Sequence, residues 1–452
     1  MGDEHGAAPD LIFAGAEIGP GRVADVLVAD GLVAEIGSGL RGTEVFDCRG
    51  GALLPGLHDH HCHLLATAAA GESVICGPPD VRTRGELVTA LRTASARNGW
   101  LRGVGYDEAV AGDLDRASLD TMRSDLPVRV QHRSGALWVL NSAALAEVGG
   151  GFDGLERDAA GEPTGRLWRG DAWLRDRVGV QAVPDLATLS QRLASYGVTG
   201  VTDATVDLGD VAARLLRSGV LAQRVLLLGA PDALVPRKVV VSDHALPSFD
   251  DLASVIASAR PDPVAVHSVS RASLLLTLAV LQQVGATPRD RIEHAAVAPA
   301  EAIAMIAELG LTVVTQPSLV AMRGDDYLDR VDADDRDALW PFRSFLDAGV
   351  EVGCSSDAPY GDLDPWLTIR AARERTAPSG RAVAPHEAVS AERALAGFLS
   401  SPERPGGPAR RIEVGAQADL VLLDRPRAEA LATPSREYVT STVIGGRIRY
   451  RR

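Results

Sequence analysis

Lysine is almost absent from this chain of 452 residues, because its 46 basic residues comprise 45 arginines and one lysine, Lys238. A coding bias in the source genome would account for the abundance of arginine. It would not by itself explain why one position kept an amine, so Lys238 needs an explanation of its own.

Cysteine is also scarce, and long apolar runs are missing. The four cysteines, Cys48, Cys62, Cys76 and Cys354, lie far apart and show no paired two-residue spacing. This argues against a disulfide framework and against a zinc site made of cysteines, so we expect buried free thiols. No apolar run approaches the roughly 18 residues that a membrane helix needs, which excludes a membrane-spanning chain.

A basic surface is the third missing feature, since the formal net charge is −14. A nucleic acid or an acidic membrane would therefore be repelled, and we expect neither as a partner. The first residues lack a positive stretch followed by an apolar segment, so no secretory signal is indicated and a cytoplasmic location is expected. With 46% apolar and 23% charged residues, the composition is globular and excludes a disordered or collagen-like chain.

The two ends of the chain have the same character. Before residue 55, the segments DLIFAGAEI, DVLVADGLVAEIG and EVFDC are short, alternating and bounded by glycine, which predicts antiparallel strands. After residue 411, RIEVG, ADLVLLD and STVIGGRIRYRR show the same pattern. Residues 1–54 and 405–452 are therefore predicted to form one small composite β-sandwich domain, and the linker SSPERPGGPARR at 400–411 suggests a boundary.

The middle of the chain alternates strand-like runs with segments of helical period, such as SFDDLASVIASAR, RASLLLTLAVLQQVG and APAEAIAMIAELG. The predicted strands are GALLPGLHDHHCH (51–63), VTGVTDA (198–204), QRVLLL (223–228), KVVV (238–241), VAVHSV (264–269), RIEHAA (291–296), LTVVTQP (311–317) and VEVGCSSD (350–357). Eight strands with intervening helices predict an α/β fold, a (β/α)8 TIM barrel over residues 55–404. Residues 64–184 are too long for a plain loop and are predicted to be an inserted substructure after the first strand, a lid or specificity region.

Two histidine pairs lie in the first predicted strand. His61 and His63 flank Cys62, and residues i and i+2 of a strand share a face, so both imidazoles can reach one metal ion. His58 and His60 form a rival pair on the opposite face by the same parity. The spacing alone does not decide between the two pairs.

Further histidines lie in other predicted strands. His267 and His294 each occupy an apolar run, where an imidazole buried without a partner costs free energy. Either one alone would be expected to be a hydrogen-bonded core residue. If the barrel forms, however, both converge with His61, His63 and Asp357 at the carboxyl ends of the strands. Four neutral imidazoles and a carboxylate suit Zn²⁺ or a similar first-row ion rather than Ca²⁺ or Mg²⁺.

These motifs carry a family resemblance. In order and spacing, PGLHDHHCHL, VAVHSV, RIEHA and SSDAP resemble the metal-binding motifs of the amidohydrolase superfamily. WLRGVGYDEA, LWVLNSAAL, RDAAGEPTGRL, TQP and VGAQADLVLLD are similar to its YtcJ-like branch, amidohydrolase family 3, so the resemblance covers nearly the whole chain. It implies a barrel with a composite β-sandwich, and metal-dependent hydrolysis of an amide-type carbon–nitrogen bond in a small molecule.

The resemblance also implies roles for individual residues. The implied metal ligands are His61, His63, Lys238, His267, His294 and Asp357. Lys238 falls where binuclear members have a lysine carboxylated by CO₂, whose carbamate would bridge two Zn²⁺ ions. Only an amine can form a carbamate, because guanidinium stays protonated. Asp357 is also the implied catalytic residue, as general base and then general acid. Lys238 opens its apolar run, so the sequence does not fix how deeply it is buried.

Substrate recognition is less determined. Tyr106, Arg133, Asn141 and Gln316 lie in family-like segments and are candidate substrate-binding residues, and Arg166 is a further candidate. The alternative is that Asn141 caps the helix begun by NSAAL and that the arginines are solvated or salt-bridged.

Two other functions remain open at this point. One is a mononuclear deaminase of an amino-heterocycle, in which Lys238 would be structural. The other is a catalytically silent barrel with a binding role, although a silent protein has little reason to keep several buried histidines together. The expected partner is a small-molecule substrate, and a homodimer is left open.

Overall fold

The computed structural model of the protein describes residues 10–178, 183–206, 208–229 and 235–452. The chain divides into two compact units. The first unit comprises the chain up to Leu64 together with Ala187–Arg452, and the second comprises Leu65–Leu186. Within the described residues, no helix is both long enough and apolar enough to cross a membrane.

The strands and helices follow one another along the whole chain. In chain order, the described strands are β1 (Leu11–Gly19), β2 (Arg22–Ala29), β3 (Leu32–Gly37), β4 (Glu44–Asp47), β5 (Leu53–Pro55), β6 (Leu57–Cys62), β7 (Val74–Ile75), β8 (Leu101–Tyr106), β9 (Val128–His132), β10 (Leu137–Leu140), β11 (Leu155–Arg157), β12 (Pro163–Trp168), β13 (Val198–Asp203), β14 (Arg224–Leu227), β15 (Arg237–Val240), β16 (Val264–Ser268), β17 (Arg291–His294), β18 (Thr312–Thr315), β19 (Val352–Cys354), β20 (Leu420–Leu423), β21 (Val439–Ile444) and β22 (Arg447–Arg451). The described α-helices are α1 (Leu64–Gly71), α2 (Arg84–Thr93), α3 (Glu108–Ala111), α4 (Arg116–Met122), α5 (Ser142–Val148), α6 (Asp171–Val178), α7 (Leu186–Ser195), α8 (Asp210–Leu216), α9 (Phe249–Ala259), α10 (Arg271–Val284), α11 (Ala300–Glu308), α12 (Ser318–Arg330), α13 (Arg343–Asp347), α14 (Pro365–Glu374), α15 (Ala391–Leu399) and α16 (Arg427–Ala432). Short 3₁₀ helices span Ala333–Ala338, Pro385–Glu387 and Arg436–Tyr438.

Parallel strands form two hydrogen-bonded arcs in the first unit. One arc has the order β14-β13-β6, and the other has the order β15-β16-β17-β18-β19. Every neighbouring pair in both arcs is parallel. β6 and β13 are buried at every position, as expected for strands of a parallel sheet that is covered on both faces.

The strands and helices predicted for this region are confirmed. The seven strands predicted from residue 198 onward correspond to β13 through β19, of which β15 is shifted by one residue and the others are shorter than predicted. The three amphipathic segments form α9, α10 and α11, which connect successive strands of the second arc. In α9, Leu252, Ile256 and Ala259 are buried, as the spacing of apolar residues on one helix face requires. The first unit is therefore an α/β structure with parallel sheets.

The prediction of one strand over residues 51–63 was wrong, because this stretch forms two strands in different sheets. β5 pairs antiparallel with β20, whereas β6 pairs parallel with β13. The break lies at Gly56, where an added Cβ would lie 2.1 Å from Thr199 Cγ2. The Pro55–Gly56 dipeptide is typical of a turn and was the available signal, but the prediction extended one strand through it.

The two ends of the chain form two antiparallel sheets with a common core. The first has the order β3-β2-β1-β4 with a parallel β1–β4 pair, and the second has the order β22-β21-β20-β5. Phe13 and Val26 of the first sheet belong to the same apolar cluster as Leu53, Leu420 and Val443 of the second. Residues from both ends of the sequence therefore stabilise each other.

The strand predicted over RIEVG (411–415) was wrong, since these residues belong to no strand. Ile412 is buried but Val414, which alternation would place on the same face, is exposed. The chain then turns, because the Ala416 amide donates to the Glu413 carbonyl at 3.0 Å and Gly415 has a φ of +89°. A turn of this kind interrupts a strand. The turn requires a left-handed backbone conformation at Gly415, which glycine adopts without steric cost.

The second unit contains a mixed sheet with helices. The order of the sheet is β11-β12-β10-β9-β8-β7. The unit has an apolar cluster of its own, which includes Leu87, Leu101, Leu119, Val130 and Val139. It can thus bury a hydrophobic core from its own residues.

Candidate metal centre

Three side chains converge at the carboxyl end of β6. His61 lies in β6, His63 follows the end of that strand, and Asp357 follows β19. Asp357 Oδ1 lies 3.5 Å from His61 Nε2 and 3.3 Å from His63 Nε2. One ligand atom from each of the three residues lies within 4.8 Å of the other two. These atoms can bind one ion together.

The backbone holds Asp357 beside β6. The Asp357 amide donates to the His61 carbonyl at 2.8 Å, and the His63 amide donates to the Ala358 carbonyl at 2.8 Å. Asp357 itself has a φ of +52°, a left-handed conformation that is uncommon for aspartate and is often retained at functional sites. The segment after β19 is thereby joined to the end of β6.

A second pair of imidazoles lies next to this group. The ring centroids of His267 and His294 are 4.5 Å apart, and those of His61 and His294 are 4.9 Å apart. His294 Nδ1 donates to Gln316 Oε1 at 2.8 Å, while Gln316 Nε2 donates to Ser355 Oγ at 2.8 Å. The Val314 carbonyl can only accept, and its bond from Gln316 Nε2 fixes the orientation of the Gln316 amide, so Nδ1 of His294 carries the proton and Nε2 carries the lone pair.

Gln316, a predicted substrate-binding residue, therefore orients a histidine of this cluster. Its amide group also donates to the Val314 carbonyl at 3.3 Å, and its side chain is fully buried.

Lys238 lies in the same place and is buried. Its Nζ is 3.5 Å from His61 Nε2, which settles the depth that the sequence left open. Burial lowers the pKa of Lys238 to about 8. At neutral pH, a larger fraction of Lys238 is therefore in the neutral amine form than for a lysine in water.

The charges of the cluster suit a cation. Burial lowers the pKa of His61 and of His294, so both imidazoles are neutral at neutral pH. Burial raises the pKa of Asp357, but the imidazoles of His63, His294 and His61 outweigh burial and hold that pKa well below its usual range. Within the described residues, the buried Asp357 Oδ1 accepts no hydrogen bond of normal geometry. Neutral imidazoles around an ionised carboxylate are the ligand forms that zinc binds, so the residues fit such an ion.

The rival histidine pair is held away from this cluster. His58 Nε2 is 2.9 Å from Thr202 Oγ1, and His60 Nε2 is 3.0 Å from Ser400 Oγ. Both rings are buried. Because side chains alternate along a strand, His58 and His60 lie on the face of β6 opposite to His61.

Sequence reasoning missed two carboxylates beside the cluster. Glu293 is fully buried and hydrogen-bonds to His61 Nδ1. Asp59 accepts the His61 amide at 3.2 Å and the Ser356 amide at 3.0 Å. Each is a charged residue inside a buried strand. Because a buried carboxylate needs hydrogen-bond partners, this position in the sequence could have indicated a role near the cluster.

Strand parity could not reveal that Glu293 and His294 both lie near His61. Neighbouring residues of a regular strand point to opposite faces. His294 has a φ of +75°, so the regular alternation ends there and both side chains reach the surroundings of His61.

The other candidate substrate residues lie in the second unit, where their side chains have partners. The Tyr106 hydroxyl donates to the Gly112 carbonyl at 2.5 Å. Arg133 Nη1 lies 2.6 Å from Asp107 Oδ2, and Arg166 Nε lies 3.2 Å from Glu156 Oε2. Both arginines are thus salt-bridged, and their role in substrate binding stays a prediction.

Asn141 is the N-cap of α5, which confirms the capping alternative. Its Oδ1 accepts the Ala144 amide at 2.8 Å and the Val128 amide at 3.0 Å. Its Nδ2 donates to the Arg123 carbonyl at 3.0 Å and the Leu126 carbonyl at 2.9 Å. All four bonds of a fully buried amide are used within the unit, which leaves no group for a substrate.

Asn141→Ala is therefore expected to destabilise the second unit. Removal of the cap and of buried hydrogen bonds should lower the free energy of unfolding by about 2–4 kcal/mol. Urea denaturation followed by circular dichroism would measure the change. Ser142→Ala, at the next position and exposed, is the control and should cost less. An unchanged midpoint for Asn141→Ala would contradict the assigned role.

Comparison with known proteins identifies the family. The model of the amidohydrolase family matches residues 44–450. The chain is 28% identical to the N-substituted formamide deformylase of Arthrobacter pascens over 514 aligned positions, which cover 94% of this chain and 95% of that protein. It is 25% identical to YtcJ of Bacillus subtilis (strain 168), named as an amidohydrolase, over 437 positions that cover 78% and 80% of the two chains.

A solved structure has a similar fold. The crystal structure of an uncharacterised metal-dependent hydrolase of Pyrococcus horikoshii OT3 superposes with a TM-score of 0.71 at 20% identity, covering 92% of this chain and 96% of that one. At this identity the likeness concerns the fold. The family match spans most of the sequence, and the chain therefore belongs to the amidohydrolase family, in its YtcJ-like branch, and is a hydrolase of carbon–nitrogen bonds.

Proposed function

We propose that the chain hydrolyses an amide-type bond in a small molecule at a zinc centre formed by His61, His63, Lys238, His267, His294 and Asp357. The observation that carries the proposal is the convergence of His61, His63 and Asp357, whose ligand atoms lie within 4.8 Å of one another. Asp357 Oδ1 is buried there without a hydrogen bond of normal geometry from the described residues, and a cation would satisfy it.

The proposal includes two zinc ions. The potential ligands divide into the group of His61, His63 and Asp357 and the pair of His267 and His294. Lys238 Nζ is 3.5 Å from His61 Nε2, and carboxylation of Lys238 by CO₂ would add two oxygen ligands for a bridge. Metal ions held by these residues would lower the pKa of a bound water and would polarise the carbonyl group of the substrate.

Asp357 carries the proton transfer. Its Oδ1 faces the imidazoles of His61 and His63, which leaves Oδ2 to accept the proton from the attacking water. The same carboxyl group then gives that proton to the departing nitrogen, which leaves as a neutral amine. The hydrogen bond from His294 Nδ1 to Gln316 holds the imidazole with Nε2 as the nitrogen available for a metal.

The proposed architecture is a closed (β/α)8 barrel with a composite β-sandwich. The hydrogen bonds that join Asp357 to His61 and Ala358 to His63 support closure between β19 and β6. We further propose that residues 64–184 form an insertion that contributes to substrate selection. Because the Arthrobacter relative is an N-substituted formamide deformylase, N-substituted formamides are the first substrate class to test.

Metal removal should abolish the activity. Purified protein would be loaded with Zn²⁺, stripped with dipicolinate and loaded again, with zinc counted per chain at each stage. We expect formate release from N-alkyl and N-aryl formamides to stop in the stripped protein and to return with Zn²⁺. We also expect zinc to stabilise the fold by about 2.7 kcal/mol when free zinc is about 100 times its Kd.

Two comparisons make this test specific. His386→Asn changes an exposed histidine and should leave both zinc binding and hydrolysis unchanged, whereas His61→Asn should lose zinc. Acetamides of the same amines, assayed in parallel, show whether the enzyme distinguishes a formyl from an acetyl group. Hydrolysis that persists in stripped protein, or a chain that binds no zinc when zinc is in excess, would contradict the proposal.

A further inference from the structure

Two buried charged residues of β17 form a closed network around His61. Glu293 Oε2 accepts from His61 Nδ1, and Glu293 Oε1 accepts from Arg291 Nε. Arg291 Nη2 in turn donates to the His60 carbonyl at 3.1 Å. Arg291 therefore contacts both the carboxylate that holds the His61 ring and the peptide group that precedes His61.

This network lies entirely in the interior. Glu293 is 0% exposed and Arg291 is 2% exposed. Burial of an ion pair is a poor way to gain stability, because desolvation of the charges offsets most of their attraction. Well-packed apolar side chains of similar volume would serve the fold at least as well. The network therefore calls for a role other than packing.

The geometry points to such a role at the imidazole. An ionised carboxylate only accepts hydrogen bonds, so the proton of His61 must reside on Nδ1. The lone pair of His61 then lies on Nε2, the nitrogen that faces Asp357 Oδ1 at 3.5 Å and Lys238 Nζ at 3.5 Å. The buried negative charge also makes that nitrogen more basic.

We propose that Arg291 and Glu293 are positioning residues that fix the tautomer and the ring orientation of His61 and thereby strengthen metal binding at Nε2. The inference rests on the proposed function, since it needs a metal at His61. Neither residue is a ligand: Glu293 acts through the imidazole, and Arg291 acts by holding Glu293 and the His60 peptide group.

Glu293→Gln tests the proposal with little change of shape. Glutamine can still accept from His61 Nδ1, but it has no charge to raise the basicity of Nε2 or to pair with Arg291. We expect zinc affinity, measured by competition with a chelator, to fall by about 10-fold to 100-fold. The visible absorption bands of the Co²⁺-loaded variant should also shift, because a weaker donor at Nε2 changes the ligand field.

An ion pair just before β17, between the buried Asp290 and the partly buried Arg260, provides the control. Asp290 is 0% exposed and lies 2.7 Å from Arg260 Nη2, and its other oxygen accepts the Val264 amide at 2.7 Å. Asp290→Asn should lower stability in the same way as Glu293→Gln but should leave zinc affinity and the Co²⁺ spectrum unchanged. Equal loss of affinity in both variants, or none in Glu293→Gln, would overturn the proposal.

A measurement on the wild-type protein covers the case in which Glu293→Gln does not fold. Long-range ¹H–¹⁵N spectra of the zinc-loaded protein with ¹⁵N-labelled histidine should show His61 bound through Nε2 and protonated at Nδ1. Coordination of His61 through Nδ1 would overturn the positioning role. If the wild-type chain binds no zinc, the proposed function fails; if it binds zinc with His61 in the other tautomer, only this inference fails.

Discussion

Asp357→Asn is expected to lower kcat by about 10²-fold to 10⁴-fold while most of the bound metal remains. The amide oxygen of asparagine can still face His61 and His63, which lie 3.5 and 3.3 Å from Asp357 Oδ1. An amide cannot, however, take a proton from water and deliver it to a departing nitrogen. Steady-state kinetics together with zinc analysis of the same preparation would separate the two effects.

A carboxylate of the same loop provides the control for this experiment. Asp362 Oδ1 accepts the Asp364 amide at 2.9 Å, and Asp362→Asn keeps an acceptor at that position. We expect near-native turnover for Asp362→Asn. Near-native turnover in Asp357→Asn would contradict the proton-transfer role, whereas loss of zinc along with activity would indicate that Asp357 acts chiefly as a ligand.

The sequence was most informative where local periodicity decides structure. The i, i+2 spacing of His61 and His63 predicted that both imidazoles point the same way, and although His63 lies just beyond the end of β6, the two ring centroids are 5.4 Å apart. The apolar spacing of α9, α10 and α11 predicted helices at the right places. Both signals depend on neighbours in the chain, so one sequence suffices to read them.

Features set by distant residues were harder to predict. At Gly56, where the chain changes sheets, only a residue without a Cβ fits beside Thr199, which is far away in the sequence. The bond between Glu293 and His61 spans 232 positions, and the strand pattern pointed Glu293 away from His294. Both failures occur where long-range packing or an unusual φ overrides the local pattern.

The substrate-binding residues predicted in the second unit show a different limit of prediction from sequence. Asn141, Arg133 and Tyr106 were selected because their segments resemble a family, and a resemblance does not distinguish a contact with substrate from a contact within the fold. For Asn141, the four hydrogen bonds of its amide decide the matter. Polar residues in similar segments therefore need their hydrogen bonds counted before a binding role is assigned.

Lys238→Arg is expected to reduce bound zinc from two ions to one per chain and to lower kcat/KM by about 100-fold or more. The chain uses arginine at every other basic position, so this is the substitution that coding bias would favour. Guanidinium keeps its proton and cannot react with CO₂ to form a carbamate. Loss of a bridging ligand removes several kcal/mol of charge stabilisation, which corresponds to the stated decrease.

A second substitution at the same position separates the loss of the amine group from the change in side-chain size. Lys238→Ala opens a space beside His61, whose Nε2 lies 3.5 Å from the lysine Nζ in the wild-type protein. Acetate or propionate could enter that space and supply the two oxygen atoms that a carbamate would provide. We expect these acids to restore part of the zinc content and of the activity in Lys238→Ala, but not in Lys238→Arg, where the side chain fills the space. Two zinc ions and full activity in Lys238→Arg would show instead that the only lysine of the chain has no part in metal binding.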